Sequence, residues 1–382
     1  MVNIPLGKPF LKTKTVMDSI EKVIESRWIS GGPTINKFED AVKDYNNDEG
    51  YYVAVSNATT GLELALQLVN GKKKFNSNDE IIVPSWSWVA SGWVVYNVGA
   101  KPVWCDVNNY GVPYVDDIEK RITKNTKAII IVHQMGIPCD IDEINKLSEK
   151  YDIPIVEDSA CGFGSEYKGV KIGNTKNVSV YSFQARKCLT TGEGGMISVR
   201  EEEDSEWLKS MRAFGTTVSP LKRDSAAYLL KEQFDKIGTN YKMNDIQAAV
   251  GLAHLSYFDE EIKLRNRAGE YYNSELVNID GVNIGNIVPE YCTRYNWQNY
   301  HCILDKRYDR DLIVDKLRKS GIGCKWDIQA IHLEPIINSD IDLKNTEMYH
   351  NQGLWLPFFA EITEEQQNYV LKTLCQILEG SK

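Results

Sequence analysis

The sequence of 382 residues lacks the features that mark several large classes of protein. Its net charge is -9 and lysine and arginine never form a long run, so it has no basic surface suited to nucleic acid. Its first residues contain no apolar stretch, and its most apolar window, 83–100, is interrupted by proline, serine and asparagine. We therefore expect a cytoplasmic protein that binds neither nucleic acid nor a membrane.

Metal and disulfide patterns are also missing from the sequence. The eight cysteines lie far apart without a CxxC pair, and the five histidines are equally scattered. We expect no metal site and mostly buried, reduced thiols. The P-loop pattern GxxxxGK does not occur either, which excludes one common kind of phosphate site.

The sequence does contain a regular alternation of short apolar runs and helix-like stretches between residues 50 and 200. YYVAVS precedes TGLELALQLV, and KAIIIVH precedes DIDEINKLSEKY. This alternation is typical of βαβ units and predicts an α/β fold with a mostly parallel central sheet. Later strands (NYHCILD, IGCKW) and helices (DRDLIVDKLRKSG, TEEQQNYVLKTLCQIL) predict a smaller α+β unit. We thus predict a large domain over 1–255 and a small C-terminal domain over 256–382.

Two stretches could bind a ligand. VAVSNATTG, residues 53–61, places small polar residues between a strand and a helix, where the unpaired N–H groups of a helix N-terminus can bind a phosphate. Asp158 follows a buried strand, and a carboxylate there needs a cation or a protonated ring nitrogen as its partner. Taken alone, VAVSNATTG is more typical of an ordinary helix cap, and Asp158 could equally well cap a helix.

Lys187 adds a third group. It lies in SFQARKCLTTGEGG, between two strand-like runs. A lysine close to buried surface and other cations has a lowered pKa, so its free amine can form a Schiff base. Pyridoxal 5'-phosphate (PLP) requires such a lysine for its aldehyde, an acid for its pyridinium nitrogen and a helix terminus for its phosphate. The combination therefore favours PLP as the cofactor.

These motifs resemble those of the DegT/DnrJ/EryC1/StrS sugar aminotransferases, which are fold type I PLP enzymes that aminate keto-sugars. The similarity extends from IPLGKPFL to LPFF. It implies that Lys187 is the Schiff-base lysine, Asp158 the partner of the ring nitrogen, Ser182 a phosphate ligand and Trp88 the aromatic residue that stacks on the cofactor.

The resemblance implies further contacts. SNATTG corresponds to the phosphate turn, with Ala58 beside it and N–H groups from Thr59 and Thr60. In GTNYKMNDIQAAVG, Asn240 is expected to reach the cofactor phosphate of the partner subunit, which implies a homodimer. Cys161 stands near the cofactor ring, where many members carry glutamine.

Substrate contacts are implied at three places: an N-terminal loop with Trp28, Ser30 and Gly31, the later Lys325, and His332 in AIHLEP. For the loop the alternative is a simple turn, and for His332 it is a hydrogen-bonded structural histidine. The presence of Lys187 argues against the dehydratase branch of the family, in which histidine replaces this lysine.

The implied activity is transfer of the amino group of L-glutamate to a keto-sugar, with PLP and pyridoxamine phosphate (PMP) alternating. A nucleotide-linked 4-keto-6-deoxy sugar, used in amino-sugar and surface polysaccharide biosynthesis, is the expected acceptor. Two alternatives stay open: another PLP reaction on a sugar or cyclitol ketone, such as dehydration or 3-amination, and a non-catalytic regulator with the same fold. The sequence does not specify the sugar, the nucleotide, the aminated carbon, or glutamate against glutamine.

Overall fold

A computed structural model describes residues 3–380 of the chain. The short apolar runs of its first 200 residues form strands, because β-branched and aromatic side chains suit a buried, pleated surface. These strands are β1 (Tyr51–Val55), β2 (Glu80–Pro84), β3 (Lys101–Cys105), β4 (Thr126–Val132), β5 (Ile155–Asp158), β6 (Glu166–Tyr167), β7 (Val170–Lys171), β8 (Val178–Ser182) and β9 (Gly195–Val199).

Seven of these strands form one large sheet in the order β1-β9-β8-β5-β4-β2-β3. The pairs from β8 to β3 are parallel, whereas β9 runs antiparallel to both β1 and β8. Ile129 and Ile131 of β4 pack into one apolar cluster, and Ala128 and Ile130 pack into another. A strand buried on both faces is expected in a parallel sheet covered by helices. The predicted α/β class with a mostly parallel sheet is confirmed.

Helices occupy the connections and the end of the chain. Within residues 3–380, no helix is both long and apolar enough to cross a membrane. The α-helices are α1 (Thr13–Ser26), α2 (Pro33–Tyr45), α3 (Ala58–Val69), α4 (Ala90–Asn97), α5 (Val115–Arg121), α6 (Ile141–Tyr151), α7 (Glu202–Met211), α8 (Pro220–Ser225), α9 (Asp245–Leu255), α10 (Phe258–Leu276), α11 (Arg310–Lys319), α12 (Lys344–Gln352) and α13 (Glu364–Glu379).

A second, antiparallel sheet follows in the last third of the chain. Its four strands have the order β10-β12-β14-β13, and β11 instead joins β6 and β7 in a small three-stranded sheet. The strands are β10 (Val282–Ile284), β11 (Cys292–Arg294), β12 (Tyr300–Leu304), β13 (Lys325–Trp326) and β14 (Gly353–Leu356).

The predicted boundary at residue 255 falls at the end of α9, where a buried ion cluster joins α9 to α10. Glu261 lies 2.7 Å from Nε2 of His254 and 2.7 Å from Nε of Arg265. The chain also returns across this point, because β11 pairs with β6. The division into two domains at residue 255 therefore stays a prediction.

Candidate active site

A cleft of about 540 Å³ opens at the carboxyl ends of β2, β4, β5 and β8. This edge is where open α/β sheets usually bind their ligands. The sheet contributes residues at or just after its strand ends, among them Ser87, Asp158 and Ser182. The last third of the chain contributes another wall, formed by Gln298, Asn299, Lys325, Ile328 and Trp355.

The N-terminus of α3 forms one side of the cleft. The side chain of Asn57 caps the helix by accepting a hydrogen bond of 3.0 Å from the N–H of Thr60. Among residues 3–380, no acceptor is described for the N–H groups of Ala58 and Thr59, so these two can bind an anion. The N–H of Thr60, which the resemblance also assigns to the phosphate, is instead used by the cap.

The close approach of β9 fixes the position of this turn. A Cβ atom on Gly195 would lie 2.6 Å from the carbonyl carbon of Asn57 and 2.7 Å from the nitrogen of Ala58. These are backbone atoms that cannot rotate away, so only glycine allows the strand and the turn to lie this close.

Asp158 ends β5 with a buried side chain. Its Oδ2 accepts a hydrogen bond of 2.7 Å from the hydroxyl of Ser91, which is itself 2.9 Å from the hydroxyl of Ser87. Burial raises the pKa of Asp158, and the hydrogen bonds from Ser91 and the Ala160 N–H and the charge of Lys187 oppose that effect. A cation placed against Asp158, such as a protonated ring nitrogen, would favour its ionised form.

The neighbouring Glu157 is also buried but already has partners. Its carboxylate is 3.1 Å from Nε2 of His133 and accepts hydrogen bonds of 2.8 Å from Asn177 and Thr175. Burial alone would raise the pKa of Glu157, but these partners hold it below its usual value. Glu157 is therefore a structural acid, and Asp158 is the acid presented to the cleft.

Lys187 lies in the turn between β8 and β9, and its side chain enters the cleft. Its Nζ donates to Sγ of Cys161 at 3.2 Å. The turn is held by Gln298, whose amide donates to the carbonyl of Arg186 at 2.8 Å and accepts from the N–H of Cys188 at 3.1 Å. A side chain from the last third of the chain thus fixes the backbone on both sides of Lys187.

The predicted site residues fall into two groups. The residues that line the cleft are Ala58, Thr59, Thr60, Trp88, Asp158, Cys161, Ser182, Lys187 and Lys325. The predicted residues that do not line it are Trp28, Ser30, Gly31, Asn240 and His332.

His332 is fully buried beside the cleft. Its N–H donates to the hydroxyl oxygen of Ser85 at 3.0 Å, and its Nδ1 lies 2.7 Å from the same oxygen. On the other side of the ring, Nε2 lies 3.4 Å from Oε1 of Glu347, so both ring nitrogens have a partner within the protein. This position corresponds to the structural role, and a substrate contact by His332 stays a prediction.

The N-terminal loop and Asn240 do not line the cleft of their own chain. The buried Asp245 accepts hydrogen bonds of 2.8 and 2.9 Å from the N–H groups of Gly32 and Thr34, and donates its own N–H to the carbonyl of Ile29. These bonds tie residues 28–34 to the segment that follows the exposed Asn240. Two elements expected at an active site therefore lie side by side, outside the cleft of their own chain.

Sequence reasoning missed several residues of the cleft. Ser87 and Ser91 lie on either side of Trp88 in PSWSWVAS, and the position of Ser91 at the start of the helix α4 is their local signal. No local pattern marks Gln298, Asn299 or Trp355, because they reach the cleft through the packing of a distant segment.

The donor set of the cleft fits PLP. Free N–H groups at the start of α3 suit a phosphate, and the buried Asp158 requires a cationic partner. Lys187 supplies the amine that the aldehyde needs. The three groups converge on one cavity of sufficient size, as expected for a cofactor site.

The chain is similar in sequence and in structure to known proteins. The DegT/DnrJ/EryC1/StrS aminotransferase family matches residues 11–375. Among curated proteins, "Uncharacterized protein MJ1066" of Methanocaldococcus jannaschii is 31% identical over 389 residues, which is 99% of this chain and 98% of that protein.

Solved structures extend the comparison. Spr1654 from Streptococcus pneumoniae in its PMP form is 25% identical, with full coverage of both chains and a TM-score of 0.91, and its PLP form also aligns. The sugar aminotransferase CalS13 from Micromonospora echinospora is 25% identical over 98% of this chain and 99% of its own, with a TM-score of 0.87. The fold is therefore that of sugar aminotransferases.

Proposed function

Because the chain belongs to the DegT/DnrJ/EryC1/StrS family of PLP-dependent sugar aminotransferases, we propose that it transfers the amino group of L-glutamate to a nucleotide-linked 4-keto-6-deoxy sugar. The cofactor alternates between PLP and PMP, the two forms found in Spr1654. The product would be a nucleotide-linked amino sugar for the synthesis of a surface polysaccharide.

The observation that carries this proposal is the convergence of Lys187, Asp158 and the start of α3 on one cleft. Lys187 would hold the cofactor aldehyde, Asp158 its ring nitrogen, and Ala58 and Thr59 its phosphate. When bound, PLP supplies an electron sink for the carbon that carries the amine. Asp158 would keep the ring nitrogen protonated, and the free amine of Lys187 would move the proton at the donor Cα.

Trp88 and Ser182 complete the proposed cofactor site. Trp88 lines the cleft and is 54% exposed, which leaves an aromatic face free to cover the ring. Ser182 ends β8 and lines the cleft, and its hydroxyl would bind the phosphate.

We further propose that the enzyme is a homodimer in which the loop at residues 28–31 and Asn240 serve the site of the partner subunit. Support comes from their shared position outside their own cleft. Support also comes from the segment between Phe214 and Ile237, which exposes large apolar side chains. A surface of this kind is more typical of an interface than of a solvated loop. Its exposed apolar residues are Phe214, Tyr228, Leu229, Phe234 and Ile237.

The direct experiment is to incubate the PLP enzyme with L-glutamate and dTDP-4-keto-6-deoxyglucose and to identify the product by mass spectrometry. An amino sugar and 2-oxoglutarate are expected in equal amounts. Lys187→Ala should form neither, and Lys176→Ala, an exposed lysine paired with Glu149, should behave as the wild type.

Other outcomes would redirect the proposal. Amine formed only from a 3-keto sugar or a cyclitol ketone would change the acceptor, and loss of water without amine would identify a dehydratase. A protein that takes up no PLP would be a non-catalytic regulator with this fold.

A further inference from the structure

Lys325 is held at the cleft in an unusual setting. It pairs with Trp355 across β13 and β14, and its Nζ lies 3.9 Å from the centre of the Trp355 ring. Both side chains are only half-buried and both line the cleft. The indole face stabilises the ammonium but accepts none of its N–H donors in line, so the head of Lys325 keeps hydrogen-bonding capacity.

A buried acid fixes this pair from behind. Asp327 accepts 2.7 Å hydrogen bonds from the indole N–H of Trp355 and from the N–H of Ile328, and its other oxygen lies 2.8 Å from Nδ1 of His301. Both carboxylate oxygens of Asp327 thus have hydrogen-bond partners. Asp327 therefore orients the indole on which Lys325 rests, and no ion pair joins Asp327 to Lys325 among residues 3–380.

Arg186 brings a second positive charge to the same wall. It also lines the cleft, its side chain is exposed, and it makes no ion pair within the described part of the chain. Burial lowers the pKa of Lys325, the charge of Asp327 raises it, and the charge of Arg186 lowers it again. Both cations line the same cleft, where an anion bound between them would reduce their mutual repulsion.

We propose that Lys325 and Arg186 form an anion subsite that binds the α-carboxylate of the amino-acid donor. This inference rests on the proposed function. The three cations that line the cleft are Lys187, Arg186 and Lys325; Lys187 is committed to the cofactor, which leaves the other two. The remaining acid of the lining, Glu193, makes no ion pair with either of them within residues 3–380.

The position of the reacting carbon favours the amino-acid donor over the sugar nucleotide as the occupant of this anion subsite. The α-carboxylate is attached to the carbon that exchanges its amine, so it must lie beside Lys187 during the reaction. Arg186 precedes Lys187 in the chain, and its backbone is fixed by Gln298. The diphosphate of a sugar nucleotide is separated from the reacting carbonyl by the sugar ring, which places it farther from Lys187. A planar guanidinium also matches a carboxylate with two parallel hydrogen bonds.

The test uses the PLP enzyme without a keto-sugar. Lys325→Met removes the charge and keeps an unbranched apolar side chain on the indole, and Lys325→Arg keeps the charge. The rate at which L-glutamate converts PLP to PMP is followed by absorbance. Lys325→Met and Arg186→Met should each weaken apparent glutamate binding about ten- to a hundred-fold, since each removes a hydrogen bond between charged groups. Lys325→Arg should retain most of it.

A binding measurement separates this role from a structural one. By calorimetry, 2-oxoglutarate and 2-oxopentanoate, which has only the α-carboxylate, should both bind the PLP form of Lys325→Met more weakly, while affinity for dTDP stays unchanged. Lys146→Met, which removes an exposed lysine paired with Glu143, is the matched control and should bind all three as the wild type does.

Three results would overturn the assignment. Unchanged 2-oxoglutarate affinity in Lys325→Met would remove the subsite. A loss confined to 2-oxoglutarate would assign Lys325 to the side-chain carboxylate of the donor, and a loss confined to dTDP would assign it to the nucleotide. If the wild type binds both keto acids in this way but no amino acid converts PLP to PMP, the proposed function fails and the subsite stands.

Discussion

At the scale of single residues, the adjacent acids Glu157 and Asp158 of β5 have different roles because they have different hydrogen-bond partners. Glu157 is held away from the cleft by His133, Asn177 and Thr175, whereas Asp158 lines the cleft and is hydrogen-bonded by Ser91 and the N–H of Ala160. Its principal hydroxyl partner is Ser91, whose hydrogen bond favours the charged form of the carboxylate.

Ser91→Ala should therefore change the pH dependence of the enzyme. Loss of this hydrogen bond raises the pKa of Asp158, so a larger fraction of the carboxyl is protonated at acid pH and cannot pair with a protonated ring nitrogen. The acid limb of kcat/KM against pH should move to higher pH, with activity at the acid end on the order of ten-fold below the wild type. Activity above the limb should change little.

Ser87→Ala is the natural comparison for that measurement, since Ser87 contacts Ser91 and not Asp158. It should move the limb less and in the same direction. An acid limb that stays in place in Ser91→Ala, or moves to lower pH, would show that Asp158 does not set it.

The residues that could be predicted from the sequence are those with a local pattern around them. Lys187 and Asp158 each follow or lie between apolar runs, and both are in the cleft. The environment of His332 could not be predicted, because its partners Ser85 and Glu347 come from separate segments. Gln298 could not be predicted for the same reason, because it hydrogen-bonds to the Lys187 turn from more than a hundred residues away in the sequence.

At the scale of elements, the proposed phosphate turn at the start of α3 depends on the close packing of α3 against β9. The start of α3 is capped by Asn57, and β9 passes directly behind it at Gly195. Sequence patterns identify α3 and β9 separately, but the contact between them arises only when β9 inserts beside β1.

Gly195→Ala should weaken PLP binding at least ten-fold. The added methyl group would lie within 2.7 Å of backbone atoms of Asn57 and Ala58, so the turn must move and its N–H groups lose their alignment. Overpacking of this kind typically destabilises a protein by about 1–3 kcal/mol. PLP affinity by fluorescence titration and the free energy of unfolding of the apoprotein would measure the two effects.

Gly380→Ala serves as the control for that substitution, because its nearest neighbours would be 3.5 Å away or more. It should leave PLP affinity intact. Equal PLP affinity in Gly195→Ala and the wild type would mean that the phosphate is bound elsewhere.

Most helices and strands could be predicted from the sequence, but the orientation of the strand β9 could not. NYHCILD, IGCKW, DRDLIVDKLRKSG and TEEQQNYVLKTLCQIL form β12, β13, α11 and α13 as predicted. GMISV forms the strand β9, which runs antiparallel to β1 and β8. This orientation has no sequence signal, because a strand buried on both faces has the same continuous apolar pattern whether its neighbours are parallel or antiparallel. The register of Lys325 against Trp355 is likewise set by tertiary packing.

At the scale of the whole molecule, the proposed dimer makes a prediction that a single chain cannot. If Asn240 completes the partner's phosphate site, each active site contains Lys187 from one chain and Asn240 from the other. Lys187→Ala and Asn240→Ala then impair contributions of different chains to one site. After exchange of subunits, one site of each heterodimer carries both defects and the other carries none, because a two-fold interface repeats every contact. Roughly a quarter of all sites should then be restored.

The assay should be run at limiting PLP, since Asn240→Ala weakens cofactor binding in this scheme. Exchange itself is verified by mass spectrometry of mixed, differently tagged chains. Activity that never exceeds the mean of the two parent variants after proven exchange would place Asn240 in its own chain's site or outside any site.

The antiparallel insertion of β9 also has a consequence for how the chain is made. β1 leaves the ribosome early, yet among the described strands its partner in the large sheet is β9, which ends at Val199. At about 5–20 residues per second, the partner follows on the order of ten seconds later. During that interval the apolar edge of β1 has no strand to pair with and is open to chaperones. If the start of α3 binds the cofactor phosphate as proposed, a nascent chain would complete this site only after β9 has been translated, because β9 packs against the turn at Gly195.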